Sequence, residues 1–130
     1  MLESDDKADL QLNIYGKPLK ICSKEPLTGF FRDGCCNTAE TDFGSHTVCV
    51  EVTEDFLMFS KAKGNDLVSP RPEFGFDGLR SGDRWCICAS RWLEAQKEGK
   101  APPVIGDCTN LIASEIIPKN ILFKHLVKVN

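Results

Sequence analysis

Strict alternation marks one stretch of the chain as a strand. From His46 to Val52, the side chains of Val48, Val50 and Val52 fall on one side and those of Thr47, Cys49 and Glu51 on the other, the period of two of a strand with one apolar face. Thr53 follows as a helix cap. Glu54 and Asp55 put negative charge in the first turn, Lys61 and Lys63 put positive charge in the last, and Gly64 supplies the stop. Phe56, Phe59 and Ala62 give this helix one apolar stripe. A second alternation runs from Arg84 to Ala89, with Trp85, Ile87 and Ala89 opposed to Arg84, Cys86 and Cys88. Ser90 is expected to cap a helix over 91–98 that Gly99 ends. Behind Pro102-Pro103, Val104 to Cys108 reads as a short or edge strand. Thr109 or Asn110 caps a helix reaching about Glu115, and Pro118 suits the first turn of a last helix ending near Val127. Leu10 to Ile21, broken at Gly16 and Pro18, reads as a strand, a turn and a second short strand.

Two stretches have neither period. Thr28 to Thr41 contains Gly29, Asp33, Gly34 and Asn37 and is expected to be an irregular loop carrying Phe30, Phe31 and the Cys35-Cys36 pair. Asn65 to Gly82 contains Pro70, Pro72, Gly75, Gly78 and Gly82, yet Phe74, Phe76 and Leu79 are too apolar for a disordered segment. It should fold over the body as a lid or wall. Residues 1–9 are polar and acidic and read as a disordered tail, leaving 10–130 as one globular domain. Strands and helices mixed in this order predict an α+β fold, with a small mixed sheet of about three to five short strands and three or four short helices packed in layers.

Composition narrows the function classes. With 42% hydrophobic and 27% charged residues the chain is an ordinary globular one. No apolar run approaches the ~20 residues of a membrane span, and the acidic N-terminus does not resemble a signal peptide, so a cytoplasmic protein is expected. Sixteen basic residues against nineteen acidic ones, with a pI near 5.4, provide no field for nucleic acid or an anionic membrane. The sequence does not set an oligomeric state.

Seven cysteines are the unusual count: Cys22, Cys35, Cys36, Cys49, Cys86, Cys88 and Cys108. An odd number without a signal peptide predicts reduced thiols and no intramolecular disulfide. Cys22 and Cys108 read as singletons. Neither a C-x-x-C knuckle nor an H-x-x-x-H pair is present, which weighs against zinc. On a strand, Cys86 and Cys88 share a face about 6.6 Å apart, a poor distance for bridging each other. His46 and Cys49 should face opposite ways. His46 opens the strand directly after Gly44-Ser45, where a loop hands over to a rigid element. His125 reads as a solvated or capping residue of the last helix, and Trp85 and Trp92 as core. Charged residues recur beside glycines and aromatics at Arg32-Asp33, Asn65-Asp66, Glu73 and Asp83-Arg84. They read either as turn formers or as one network, in which Arg32, Arg84 or Arg91 clamps an anion and Asp66 or Glu73 serves as acid or base.

The runs Thr28-Gly29-Phe30-Phe31-Arg32-Asp33-Gly34-Cys35-Cys36-Asn37-Thr38, Gly44-Ser45-His46-Thr47-Val48-Cys49, Gly64-Asn65-Asp66-Leu67, Pro70 to Phe76, Gly82-Asp83-Arg84-Trp85-Cys86-Ile87-Cys88-Ala89, Arg91-Trp92 and Ala101-Pro102-Pro103-Val104 resemble a bacterial and plant family classed as a domain of unknown function, DUF2237. The resemblance spans about Leu12 to Val127. It implies a soluble single domain and no activity, cofactor or catalytic residue. One departure is visible: the family tends to have Thr-His where this chain has Thr109-Asn110.

Three functional readings follow. The leading one is a pocket for a small polar or anionic molecule, lined by the 28–38 loop, the 65–82 loop and the cysteine-bearing face of the second strand, with thiol chemistry at Cys35, Cys36, Cys86 or Cys88. In that pocket His46, Asp66 and Glu73 are further catalytic candidates, and Arg32, Asp33, Asn65, Arg84 and Arg91 are the binding candidates. It needs no cofactor. The second is a zinc or iron site built from Cys35, Cys36, Cys86 and Cys88 with His46. The third is a binding or structural module whose cysteines are merely packed.

Overall fold

The structure, a computed structural model, describes residues 11–127; the tail expected over 1–9 lies outside the described residues. Two antiparallel strands, β1 (His46–Glu51) and β2 (Arg84–Cys88), form the one regular sheet among them. Cys49 stands opposite Cys86, Val48 opposite Ile87, Val50 opposite Trp85, and Glu51 opposite Arg84. The two alternations therefore sort the side chains onto two faces. Val48, Val50, Trp85 and Ile87 join an apolar core, whereas Cys49 and Cys86 join a separate cluster with Cys22, Cys36 and Cys108. Both faces are covered.

The apolar face is covered by helices. Thr53 Oγ1 accepts the Phe56 amide at 3.1 Å and starts α1 (Glu54–Ala62), which buries Phe56, Leu57 and Ser60. β2 runs without a linker into α2 (Ala89–Lys97), so Ala89 opens the helix instead of ending the strand, and Ser90 does not cap it. Ala89, Trp92 and Ala95 fall three apart and form its buried stripe, and the Trp92 indole donates to the Pro102 carbonyl at 3.1 Å. Pro118 directly precedes α3 (Lys119–Lys124), whose end is closed by His125 packed edge-on against Trp92.

The fold is α+β with fewer strands than expected. Val104 alone bridges Val50 and Leu126, and the strand expected over 104–108 gives way at Gly106–Cys108 to a 3-10 helix, where the Ile105 carbonyl accepts the Cys108 amide at 3.1 Å and the Thr109 hydroxyl at 2.9 Å. The helix expected before Glu115 is a 3-10 helix, Leu111–Glu115, with the Asn110 side chain accepting the Ile112 amide. The two N-terminal strands shrink to isolated bridges, Leu12 to Pro18 and Asn13 to Asn110.

The larger correction is covalent. Cys22 is bonded to Cys49 and Cys36 to Cys86, leaving Cys35, Cys88 and Cys108 as thiols. The expectation of seven reduced thiols fails, and so does the reading of Cys22 as a core or surface singleton; Cys108 is an unbonded core cysteine, buried beside the bonded four. The reason is long-range. Strand register puts Cys49 and Cys86 side by side, and the 20–38 segment crosses that face with Cys22 and Cys36 above them. The sheet edges there are closed by hydroxyls: the Cys86 amide donates to Thr28 Oγ1 at 2.8 Å and the Cys49 amide to Thr109 Oγ1 at 3.1 Å. For loops of 27 and 50 residues, the lost denatured-state entropy stabilises the fold by about 4 kcal/mol per bond in the chain-entropy description.

Two outcomes follow from this architecture. Thiol titration of the denatured, unreduced chain should find three reactive cysteines, rising to seven after reduction; seven at the outset would disprove the bonds. Val50→Asp places an unpaired carboxylate where exposure is 0% and should cost several kcal/mol or unfold the chain, whereas Glu51→Gln at the exposed strand end should cost under about 0.5 kcal/mol by urea denaturation. Equal effects would show the faces to be reversed.

Candidate functional site

The site is built around His46. A β-bulge between His46 and Val48 breaks the alternation and brings His46 opposite Cys88, the re-aiming of a side chain that bulges commonly perform. His46 and Cys88 are thus register partners at one end of the sheet, and the Cys88 thiol lies 3.3 Å from the Ser90 hydroxyl. Asp42 fixes the ring. Its Oδ1 lies 2.7 Å from His46 Nδ1, and its Oδ2 accepts the His46 amide and the Thr38 hydroxyl, each at 2.9 Å. The Asp42 side chain is 0% exposed and the His46 side chain 42%. A buried carboxylate facing Nδ1 selects the tautomer protonated there and leaves Nε2 as the open nitrogen. The turn that allows this passes through Ser45, a non-glycine residue at φ 50°, and through Gly44, where a Cβ would stand 2.8 Å from His46 Cε1.

His46 and Cys88 line a cleft of about 240 Å³. One wall is the 28–38 loop, contributing Gly29 and Arg32; another is the 65–82 segment, contributing Asn65, Asp66, Leu67, Arg71, Phe74 and Phe76; β2 forms the floor. Arg32 sits in the left-handed region at φ 54°, donates from Nη1 to the Gly29 carbonyl at 2.7 Å, and holds its guanidinium 5.2 Å above the Trp85 ring. The second wall is folded back on itself by paired hydrogen bonds between Arg71 and Phe76, and the Phe76 ring packs on Trp85 at 5.3 Å. Phe30 stacks over His46 at 6.3 Å. The cleft thus combines aromatic surface with two guanidinium groups, one imidazole and one thiol.

Of the residues expected at a site, Arg32, His46, Asn65, Asp66, Cys86 and Cys88 line this cleft. Asp66 is spent on its own turn: the Ser69 hydroxyl, with the Val68 and Ser69 amides, holds its carboxyl at about 2, too weak a base for proton transfer near neutrality. Asp33 likewise accepts the Cys35 amide and the Asn37 side chain, and Asp83 the Arg80 amide. Arg91 bonds the Lys63 carbonyl and Glu94 on α2, while Arg84 and Glu73 are exposed and line no part of the cleft. Cys36 and Cys86 are bonded to each other. Burial, with Asp33 beside it, pushes the Cys35 thiol up despite Lys24, and burial does the same to Cys108. The metal set of Cys35, Cys36, His46, Cys86 and Cys88 does not converge; the sulfur atoms within 4.8 Å of one another among the described residues are those of Cys22, Cys36 and Cys49.

Asp42 and Arg71 were not among the expected residues. A carboxylate four positions before a histidine, with Gly44 between them, is the signal that marks Asp42. Arg71, between two prolines, carries no such signal. Asn110 is buried and fully engaged, donating to the Gln11 side chain and, at 3.1 Å, to the Cys36 carbonyl. It supports the 28–38 loop and does not line the cleft.

Among the described residues no helix is long and apolar enough to cross a membrane. No curated protein matches this chain. The family model of an uncharacterised protein conserved in bacteria, DUF2237, matches residues 12–126, and on that extent the chain belongs to the DUF2237 family.

Proposed function

We propose that the cleft binds a small anionic molecule and that Cys88 reacts with it as a nucleophile, with His46 as its base. The observation that carries this reading is the anchoring of His46 Nδ1 on the buried Asp42, which leaves Nε2 to the cleft that Cys88 lines. In this arrangement Nε2 takes the Cys88 proton, the thiolate sulfur attacks an electrophilic carbon, and the leaving group departs with its electron pair. Asp42 stabilises the imidazolium so formed. Arg32 and Arg71 supply positive charge and forked donors for a carboxylate or phosphate. The aromatic side chains of Phe74, Phe76 and Trp85 exclude water beside it. A volume of about 240 Å³ lies below the ~300–1,000 Å³ of sites for drug-sized molecules, which fits a small metabolite.

Two carbon electrophiles that differ in charge test the parts separately. Mass spectrometry of the native protein should find Cys88 alkylated faster than Cys35 or Cys108, and faster relative to them with iodoacetate than with neutral iodoacetamide. Arg32→Gln with Arg71→Gln should remove the preference for the anionic reagent, and His46→Gln should slow Cys88 at least about tenfold with both. Equal rates at all three thiols, or a Cys88 rate indifferent to His46→Gln and Asp42→Asn, would overturn the proposal.

Acid–base behaviour supplies a further outcome. The raised folded-state thiol of Cys35 carries less thiolate at neutral pH than a free cysteine, so its alkylation should keep rising with pH beyond the ordinary thiol range of about 8.5. Asp33→Asn should move that profile to lower pH. A Cys35 profile at or below the free-thiol position would contradict the assigned burial.

A further inference from the structure

The sulfur cluster under the sheet contains more than two crosslinks. Cys49 and Cys86 are register partners on one face of the β1–β2 ladder, and Cys22 and Cys36 meet them from the segment above. The Sγ atoms of Cys22, Cys36 and Cys49 all lie within 4.8 Å of one another although Cys36 is bonded to neither of the other two. The fourth sulfur, that of Cys86, is held against this group by its bond to Cys36. A tetrahedral zinc site with Zn–S bonds of about 2.3 Å has sulfur–sulfur edges of about 3.8 Å; once the two bonds are reduced, Cys22, Cys36 and Cys49 start within 4.8 Å of one another, and Cys86, outside that group, joins it from the side of Cys36. Exposure of the four residues is 0–3%, which describes a closed structural site and not one with an open coordination position.

We propose that, once both disulfides are reduced, Cys22, Cys36, Cys49 and Cys86 hold one zinc ion as a four-thiolate site. The same four positions are then locked by sulfur–sulfur bonds in oxidising surroundings and by zinc in reducing ones. A dithiol reductant supplies the electrons: two molecules are oxidised to disulfides, both protein S–S bonds open, and four thiols form. Zinc binding then releases their four protons to solvent. Zinc is favoured over ferrous iron by the general affinity order for such ligands. This donor set differs from the one expected from the sequence. Cys35, Cys88 and His46 lie outside the converging group. Cys108 shares the cluster, but its thiol donates to the Ile21 carbonyl at 3.2 Å.

Cobalt(II) is the probe, because a tetrahedral four-sulfur cobalt site has intense visible bands and thiolate charge transfer. The chain reduced with dithiothreitol and freed of excess reductant should bind about one cobalt per chain with that spectrum, and added zinc should displace it. Cys22→Ser and Cys49→Ser should each abolish the four-sulfur spectrum, while Cys35→Ser combined with Cys88→Ser should leave it intact. Should the reduced, metal-free chain lose its structure, zinc must restore the circular dichroism of the oxidised protein. Overturning results are a reduced chain that stays folded and binds no cobalt, an unfolded one that zinc does not refold, or a spectrum that survives Cys22→Ser and Cys49→Ser but disappears with Cys35→Ser and Cys88→Ser.

Discussion

The register that sets Cys49 beside Cys86 is the constraint on which the rest of the structure depends. A two-stranded ladder is marginal by itself in water. Here it persists because both faces are buried, the apolar one under helices and the sulfur one under a segment without regular secondary structure of its own. Ordering such a segment costs ~1–2 kcal/mol per residue in backbone entropy, and it contributes few large apolar side chains in return: Ile21, Leu27, Phe30 and Phe31 are all exposed. Two covalent ties and the hydroxyl of Thr28 offset that cost where packing does not.

The cleft inherits its shape from that attachment. Arg32 lies over the Trp85 ring, and the 28–38 loop that carries it is tied to the strand of Trp85 by the Cys36–Cys86 bond and the Thr28 hydroxyl. At the other end of the sheet, the bulge at His46 and the buried Asp42 set the imidazole, and β2 delivers Cys88 to the same place just before it turns into α2. Residues from two irregular loops and two strand ends thus meet without any one local motif specifying the meeting. Of the non-glycine residues in the left-handed region among the described residues, Arg32 lines this cleft and Ser45 directly precedes His46, which lines it, and backbone held in sparsely populated conformations concentrates at working sites.

What was legible in the sequence was local. The alternation of β1 and β2, the Thr53 cap, the apolar face of Val48, Val50 and Val52, and the wall-like character of 65–82 all follow from period, capping chemistry and turn residues. Strand ends were less legible: Ala89 fits a strand alternation and a helix stripe equally well, and packing beside Trp92 decides for the helix. The strand read over 104–108 gives way after Ile105, whose carbonyl accepts the Cys108 amide and the Thr109 hydroxyl instead of a neighbouring strand. The disulfides were hidden because partners 27 and 50 residues apart cannot be read from spacing. Asp42 escaped because its role exists only once the Gly44-Ser45 turn has bent the chain back onto it.

Hydrogen exchange at the Cys86 amide tests most directly whether the disulfides hold the segment, because this amide donates to Thr28 Oγ1 across the attachment, while the Val52 amide donates to Asp83 away from it. In the oxidised chain both should exchange slowly. After reduction in the presence of a metal chelator, Cys86 exchange should accelerate, either selectively or together with Val52 if the whole fold depends on the bonds. Cys86 exchange that stays as slow after reduction as before it would contradict the dependence of this structure on its two sulfur ties.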